Sequence, residues 1–200
     1  MPKVLVSPAA IARRVRQLGR QISRDYAGQK LDVVALLENG YIFVADLVRA
    51  LTVPVHTHFI RADVRDIQDP ATGKPRKEIF YTPDLDAEGR NILVVDGVFQ
   101  SGITTDFFLR RISLHNPRSV RTAVFVDKPA DRKVLLEPDY YAFRITSNDM
   151  VVGYGLSWDG QNGNLPYLAS WGRPKAKPAR GSARAARPRV KVKAKRRARK

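Results

Sequence analysis

Apolar positions recur along this chain at two periods, and the changes between them mark its elements. Ile11, Val15, Leu18, Ile22 and Tyr26 follow one another at spacings of four, three, four and four, the stripe of an amphipathic helix. Ser7 suits the N-cap, Pro8 the first helical position, and Gly28 is the expected C-cap. The other face carries Arg13, Arg14, Arg16, Arg20 and Arg24, readable as a solvated face or as a partner surface. Leu31 to Leu37 is a short apolar strand, Glu38-Asn39-Gly40 turns the chain, and Tyr41 to Leu51 reads as a helix. Val53 to Ile60 alternates as a strand, with His56 and His58 on one face and no obvious third metal ligand. Ile92 to Val95 is a continuous apolar run, the mark of a strand buried on both faces. It turns through Gly97 and Gly102 into the helical pattern Thr104, Phe107, Phe108, Leu109, Ile112. Val120 to Val126 and Tyr140 to Ile145 read as further strands.

Two stretches fall outside these periods. Arg61 to Pro83 is polar, with Asp-Pro-Ala-Thr-Gly-Lys-Pro at its centre, and suits a long β-hairpin or lid. Its Gly73-Lys74 is not a P-loop, because the earlier glycine is missing and Pro75 stands where Ser or Thr belongs. Arg65, Lys74, Arg76 and Lys77 either meet an anion there or keep the loop soluble. The second stretch, residues 173–200, is rich in Lys, Arg, Ala and Pro and is expected to be a disordered tail.

Charge separates the tail from the rest. Of 36 Lys and Arg in the 200 residues, 14 fall in the tail, which has no Asp or Glu. The remaining 22 face all 19 acidic residues, so the body is nearly balanced although the chain carries +17. The body, residues 1–172, is expected to be one domain. The tail fits non-specific, salt-dependent binding of nucleic acid, with a solubility extension or anionic lipid as the other readings. No apolar run approaches bilayer length and the N-terminus has no long apolar h-region, so neither a membrane span nor a signal peptide is expected. Cysteine is absent, which removes disulfides, thiolate metal sites and a cysteine nucleophile, and a cytoplasmic location follows.

The chemistry concentrates after the Ile92 to Val95 run. A strand, a turn containing Gly, Ser and Thr, and a helix start leave unpaired N–H groups at the positive end of a helix dipole. Gln100, Ser101, Gly102, Ile103, Thr104 and Thr105 are therefore candidate phosphate-binding residues; the alternative is an ordinary strand-to-helix turn of an α/β protein.

That stretch resembles the phosphoribosyl-diphosphate loop of type I phosphoribosyltransferases, Val-Glu-Asp-x-x-Asp-[Ser/Thr]-Gly-x-Thr. Val95, Asp96, Ser101, Gly102 and Thr104 match; Gly97 stands at the second acid and Gln100 at the third, the family's candidate general base. The first helix is similar to the opening helix of hypoxanthine phosphoribosyltransferases, with Ile11, Arg14, Val15, Leu18, Gly19, Ile22, Asp25 and Tyr26 in register. The resemblance covers about residues 4 to 171 and is closest to hypoxanthine(-guanine) phosphoribosyltransferases. It implies a type I phosphoribosyltransferase α/β fold: a mostly parallel sheet flanked by helices, with a small hood made from the chain ends and the lid.

The resemblance also assigns roles. Asp96 is the ribose and magnesium residue, and Lys128 would bond the purine 6-oxo group beside Met150 and Val151. Glu38, Asn39 and Gly40 stand at the pyrophosphate loop. Met150 replaces the aromatic that stacks on the purine, Ser157 replaces a magnesium-binding aspartate and Gly163 a pyrophosphate-contacting arginine; the lid's Ser-Tyr pair is absent. The implied cofactor is Mg2+. The implied partners are a purine nucleotide or phosphoribosyl diphosphate, in a homo-oligomer, dimer or tetramer. With these departures on one reaction centre, the expected function is purine nucleotide or phosphoribosyl diphosphate binding with catalysis weak or lost. The alternative is a non-catalytic nucleotide-sensing or nucleic-acid-associated protein.

Overall fold

The computed structural model describes residues 2–37, 39–61, 63–68, 75–80 and 85–172, the segments 63–68 and 75–80 by their backbone alone. Glu38, Lys74 and the tail from residue 173 lie outside them, as do the side chains of Arg65, Arg76 and Lys77. In chain order the elements are β1 (Lys3–Val6), α1 (Pro8–Asp25), β2 (Leu31–Leu37), α2 (Tyr41–Ala50), β3 (Val55–Arg61), β4 (Asp63–Gln68) and β5 (Pro75–Phe80). There follow β6 (Asn91–Phe99), α3 (Ile103–Ser113), β7 (Ser119–Asp127), β8 (Tyr140–Arg144), β9 (Val151–Val152) and β10 (Leu168–Ser170).

Five strands form a parallel sheet in the order β3-β2-β6-β7-β8. The central strands are buried on both faces because helices cover both, which is why Val33 to Leu37 of β2 and Ile92 to Val95 of β6 read as apolar runs. Alternate residues divide between two cores. Val33, Ala35, Leu93 and Val95 pack with α1 and α2; Val34, Leu36, Ile92 and Val94 pack with Phe108 and Ile112 of α3. The expected type I α/β architecture is present, with its hood. The chain ends supply an antiparallel sheet β1-β10-β9, and the polar segment supplies the hairpin β4-β5.

The α1 stripe is buried as its period predicts: Ile11, Val15, Leu18 and Ile22 are all at most 3% exposed. Burial of each is worth about 1.5–3 kcal/mol. Ser7 caps the helix through Ala10 N–H. Two expectations need correction. The helix stops at Asp25 with Tyr26 as its cap, and Gly28 follows in the left-handed region at φ 71°. Arg14 is not on the solvated face: its guanidinium donates to the carbonyls of Tyr141 and Ala142, tying α1 to β8.

Candidate functional site

The sheet order fixes where a ligand can enter. From β2 the chain leaves through α2 to β3 on one side; from β6 it leaves through α3 to β7 on the other. β2 and β6 are neighbours, so a crevice opens between their C-terminal ends, the switch point at which open parallel sheets bind ligands. Both helix N-termini face that edge, and neither α2 nor α3 has a side-chain cap.

Asp96 stands near the end of β6, half-buried. Its Oδ1 accepts from Gly97 N–H at 2.6 Å and its Oδ2 from the Thr105 hydroxyl at 3.3 Å. Burial pushes its carboxyl up to about 6, against the pull of the Gly97 and Val98 N–H groups and the Thr105 hydroxyl. Thr105, one of the candidate phosphate residues, therefore turns its hydroxyl to Asp96 and is itself buried.

The rest of the turn is built around Gly102. Its φ of 76° is one that L side chains rarely adopt, and a Cβ there would lie 2.5 Å from Val134 Cγ2. Its carbonyl accepts from Asp106 N–H, starting α3. The Ser101 hydroxyl accepts from Ile103 N–H at 3.4 Å, and Thr104 lies in the uncapped first turn. Backbone N–H groups are thus presented at this end of the helix, as an anion site requires.

Gln100 is held sideways. Its Nε2 donates to Asp131 Oδ2 at 2.7 Å, and its carbonyl accepts from Arg132 Nε. Asp131 was not singled out by the sequence, although it follows Lys128 by three residues and shares the 3-10 turn Pro129–Asp131 with that lysine's loop. Lys128 is 1% exposed; its Nζ donates to the Asp149 carbonyl at 2.6 Å, and burial lowers its pKa against the fields of Asp131 and Asp149. Met150 and Val151 adjoin that carbonyl, Val151 buried at the start of β9, Met150 exchanging backbone hydrogen bonds with Gly172 and Trp171.

Asn39 and Gly40, the candidate pyrophosphate-loop residues, meet β6 directly. A Cβ on Gly97 would stand 2.5 Å from the Asn39 carbonyl oxygen and 3.0 Å from Leu156 Cδ2. Gly40 faces Gly97 N at 3.1 Å, and Gly155 faces the Asn39 oxygen at 3.3 Å, each measured from the Cβ those glycines lack. The backbone of the turn thus occupies the space that a side chain at position 97 would enter. The Gly163 carbonyl accepts from Gly155 N–H, which sets position 163 against the same three-glycine contact. The structure thus gathers Asp96, the 100–105 turn, Lys128 and Asn39–Gly40 at one sheet edge.

Residues 5–159 match the phosphoribosyl transferase domain family. A hypoxanthine-guanine phosphoribosyltransferase of Mycobacterium avium is 34% identical over 173 residues, 84% of each chain. The crystal structure of a hypoxanthine-guanine phosphoribosyltransferase of Bacillus anthracis is 32% identical, with a TM-score of 0.74 over 84% of this chain and 96% of that one. A point mutant of Trypanosoma cruzi hypoxanthine phosphoribosyltransferase, solved as a ternary substrates complex, is 27% identical with a TM-score of 0.76 over 86% and 95% of the two chains. Sequence motifs, sheet order and relatives agree: the chain belongs to the type I phosphoribosyl transferase family, and the proteins it is similar to are hypoxanthine-guanine phosphoribosyltransferases.

Proposed function

We propose that this chain binds a purine nucleotide or phosphoribosyl diphosphate at the 100–105 turn, and that phosphoribosyl transfer by it is slow or lost. The observation that carries the reading is the pairing of Gln100 with Asp131 at 2.7 Å beside an uncapped helix N-terminus. Phosphate recognition by backbone amides needs no acid, so it persists. Transfer needs more: charge develops as diphosphate leaves and the purine must lose a proton. An amide at position 100 does not take that proton, and its hydrogen bond to Asp131 holds it as a neutral donor.

Magnesium fits through one carboxylate. Asp96 already accepts from the Gly97 and Val98 N–H groups and the Thr105 hydroxyl, and the lone-pair capacity left on its two oxygens would hold the cation. A magnesium ion held by Asp96 would supply positive charge against a departing diphosphate. Lys128 is the group for a 6-oxo purine, with Met150 and Val151 beside it. We place the protein in the cytoplasm as a homo-oligomer. A second reading adds nucleic acid: 14 positive charges without an acid in residues 173–200 suit phosphate backbones, sequence-blind and weakened by salt.

The test is a thermal-shift series with 6-oxopurine nucleoside monophosphates and with the phosphoribosyl donor, alongside a steady-state assay of purine monophosphate formation with magnesium. Binding raises the melting temperature in proportion to the logarithm of ligand excess over its dissociation constant. No shift at millimolar ligand refutes binding; robust turnover refutes the loss of catalysis.

A further inference from the structure

The strand carrying His56 and His58 acquires a third partner from its neighbour. β3 runs parallel to β2 with His56 opposite Asp32 and His58 opposite Val34. Both imidazoles and the Asp32 carboxylate therefore project from one face of the sheet, at the N-terminal ends of the strands. The phosphate turn lies at the other end. His58 Nε2 is 2.9 Å and His56 Nδ1 3.4 Å from the same Asp32 Oδ1. The three ligating atoms all lie within 4.8 Å of one another. These are two of the chain's three histidines. Asp32 is 3% exposed, His58 20% and His56 55%, so a buried carboxylate sits behind two imidazoles that open to solvent.

Tetrahedral zinc with bonds of about 2.0–2.2 Å holds its ligand atoms roughly 3.3 Å apart. The separations from Asp32 already match that spacing. We propose that Asp32, His56 and His58 form a binding site for a divalent transition-metal ion, zinc by its donor set, with water at the open position. Imidazole donors select zinc, nickel or copper over the hard cations magnesium and calcium, which take oxygen. Arg90 is the resident competitor: its Nη1 is 3.3 Å from Asp32 Oδ1. Its Nη2 is also paired with Asp86 at 2.8 Å, so a metal that displaces it from Asp32 leaves it a counter-ion. The ion would clip the sheet's edge strand β3 to β2, immediately before the hairpin β4-β5.

The site is independent of phosphoribosyl chemistry and is tested on the full chain without nucleotide. Zinc titration by calorimetry at pH 7.5, with cobalt absorption as a spectroscopic probe of ligand number, should give one ion per chain. His56→Gln and His58→Gln should each weaken binding by at least about tenfold. His115→Gln, at the exposed third histidine, should leave it unchanged, and Arg90→Ala should tighten it. Because His56 is largely exposed, its substitution reports binding without disturbing the core. Absence of one-to-one binding by the wild type, binding that survives both histidine substitutions, or binding seen only after Arg90→Ala would each overturn the proposal.

Discussion

The Gln100–Asp131 contact makes a sharp prediction about restoring an acid at position 100. Gln100→Glu keeps the side-chain length, so a carboxylate oxygen would take the place of the amide nitrogen, 2.7 Å from Asp131 Oδ2. Two charges about 4 Å apart repel by roughly 4 kcal/mol at an effective dielectric of 20. Both residues are half-buried, so solvent relieves part of this; a cost of about 1–2 kcal/mol remains, equal to about one unit or more of raised pKa. The pair should share a proton and titrate as a unit, with one macroscopic step well above the ordinary carboxylate range. The raised folded pKa fixes the sign. Stability relative to wild type is unaffected below the unfolded pKa and falls as pH rises through the folded value. Carboxyl carbon NMR titration and denaturation at pH 4 and 7 read both quantities, and Gln100→Glu/Asp131→Asn should return the remaining acid to its usual range. It follows that Gln100→Asp alone restores little transfer, because an acid protonated by its neighbour is not a base. Two ordinary titrations in the single variant, with unchanged stability at pH 7, would refute this reasoning.

Other expectations follow from individual contacts. Asp96→Asn should stabilise the protein at pH 7.5 and not at pH 4, because ionising a carboxyl whose folded pKa is pushed up to about 6 costs stability as pH rises from about 4 to 6; urea midpoints at the two pH values check it. Gly97→Ala should lower stability by about 1–3 kcal/mol and displace the Asn39 turn, since its Cβ would meet a backbone oxygen at 2.5 Å; an unshifted melting temperature would count against it. Gly19→Ala, which in an open helix would stabilise by about 1 kcal/mol, should here destabilise, because the added carbon lies 2.6 Å from Ala50 Cβ; denaturant midpoints decide the sign. Asp127→Ala should cost about 3–5 kcal/mol, since it strips the fully buried carboxylate that pairs Arg132 and Arg144.

The sequence made the sheet and the strand-to-helix turn at residues 100–105 legible because both are written in local pattern. The apolar runs Val33 to Leu37 and Ile92 to Val95 mark β2 and β6, a 3.6 period marks α1, and Gly102 marks a turn whose φ only glycine adopts readily. What escaped depends on contacts between distant segments. Asp131 reaches Gln100 across 31 residues, and Asp32 reaches His58 across 26. Strand register and loop path decide such pairings, and neither has a periodic signature. Arg14 shows the same limit. Its helical position suggested solvent, yet two carbonyls at the adjacent strand β8 claim it.

The glycine contact at the crevice also limits what substitution can do there. With no side chain at position 97, the Asn39 backbone occupies that space, and Gly40 and Gly155 close around it. A single substitution to an acid is therefore not accommodated there. A lone Gly97→Asp collides with main chain, which no change of the Asn39 side chain removes, so the turn must first be rebuilt. Loop and strand are therefore coupled: position 97 can change only together with the main chain of Asn39 and Gly40. Redesign of the site would instead begin where contacts run from side chain to side chain, as in the Gln100–Asp131 pair.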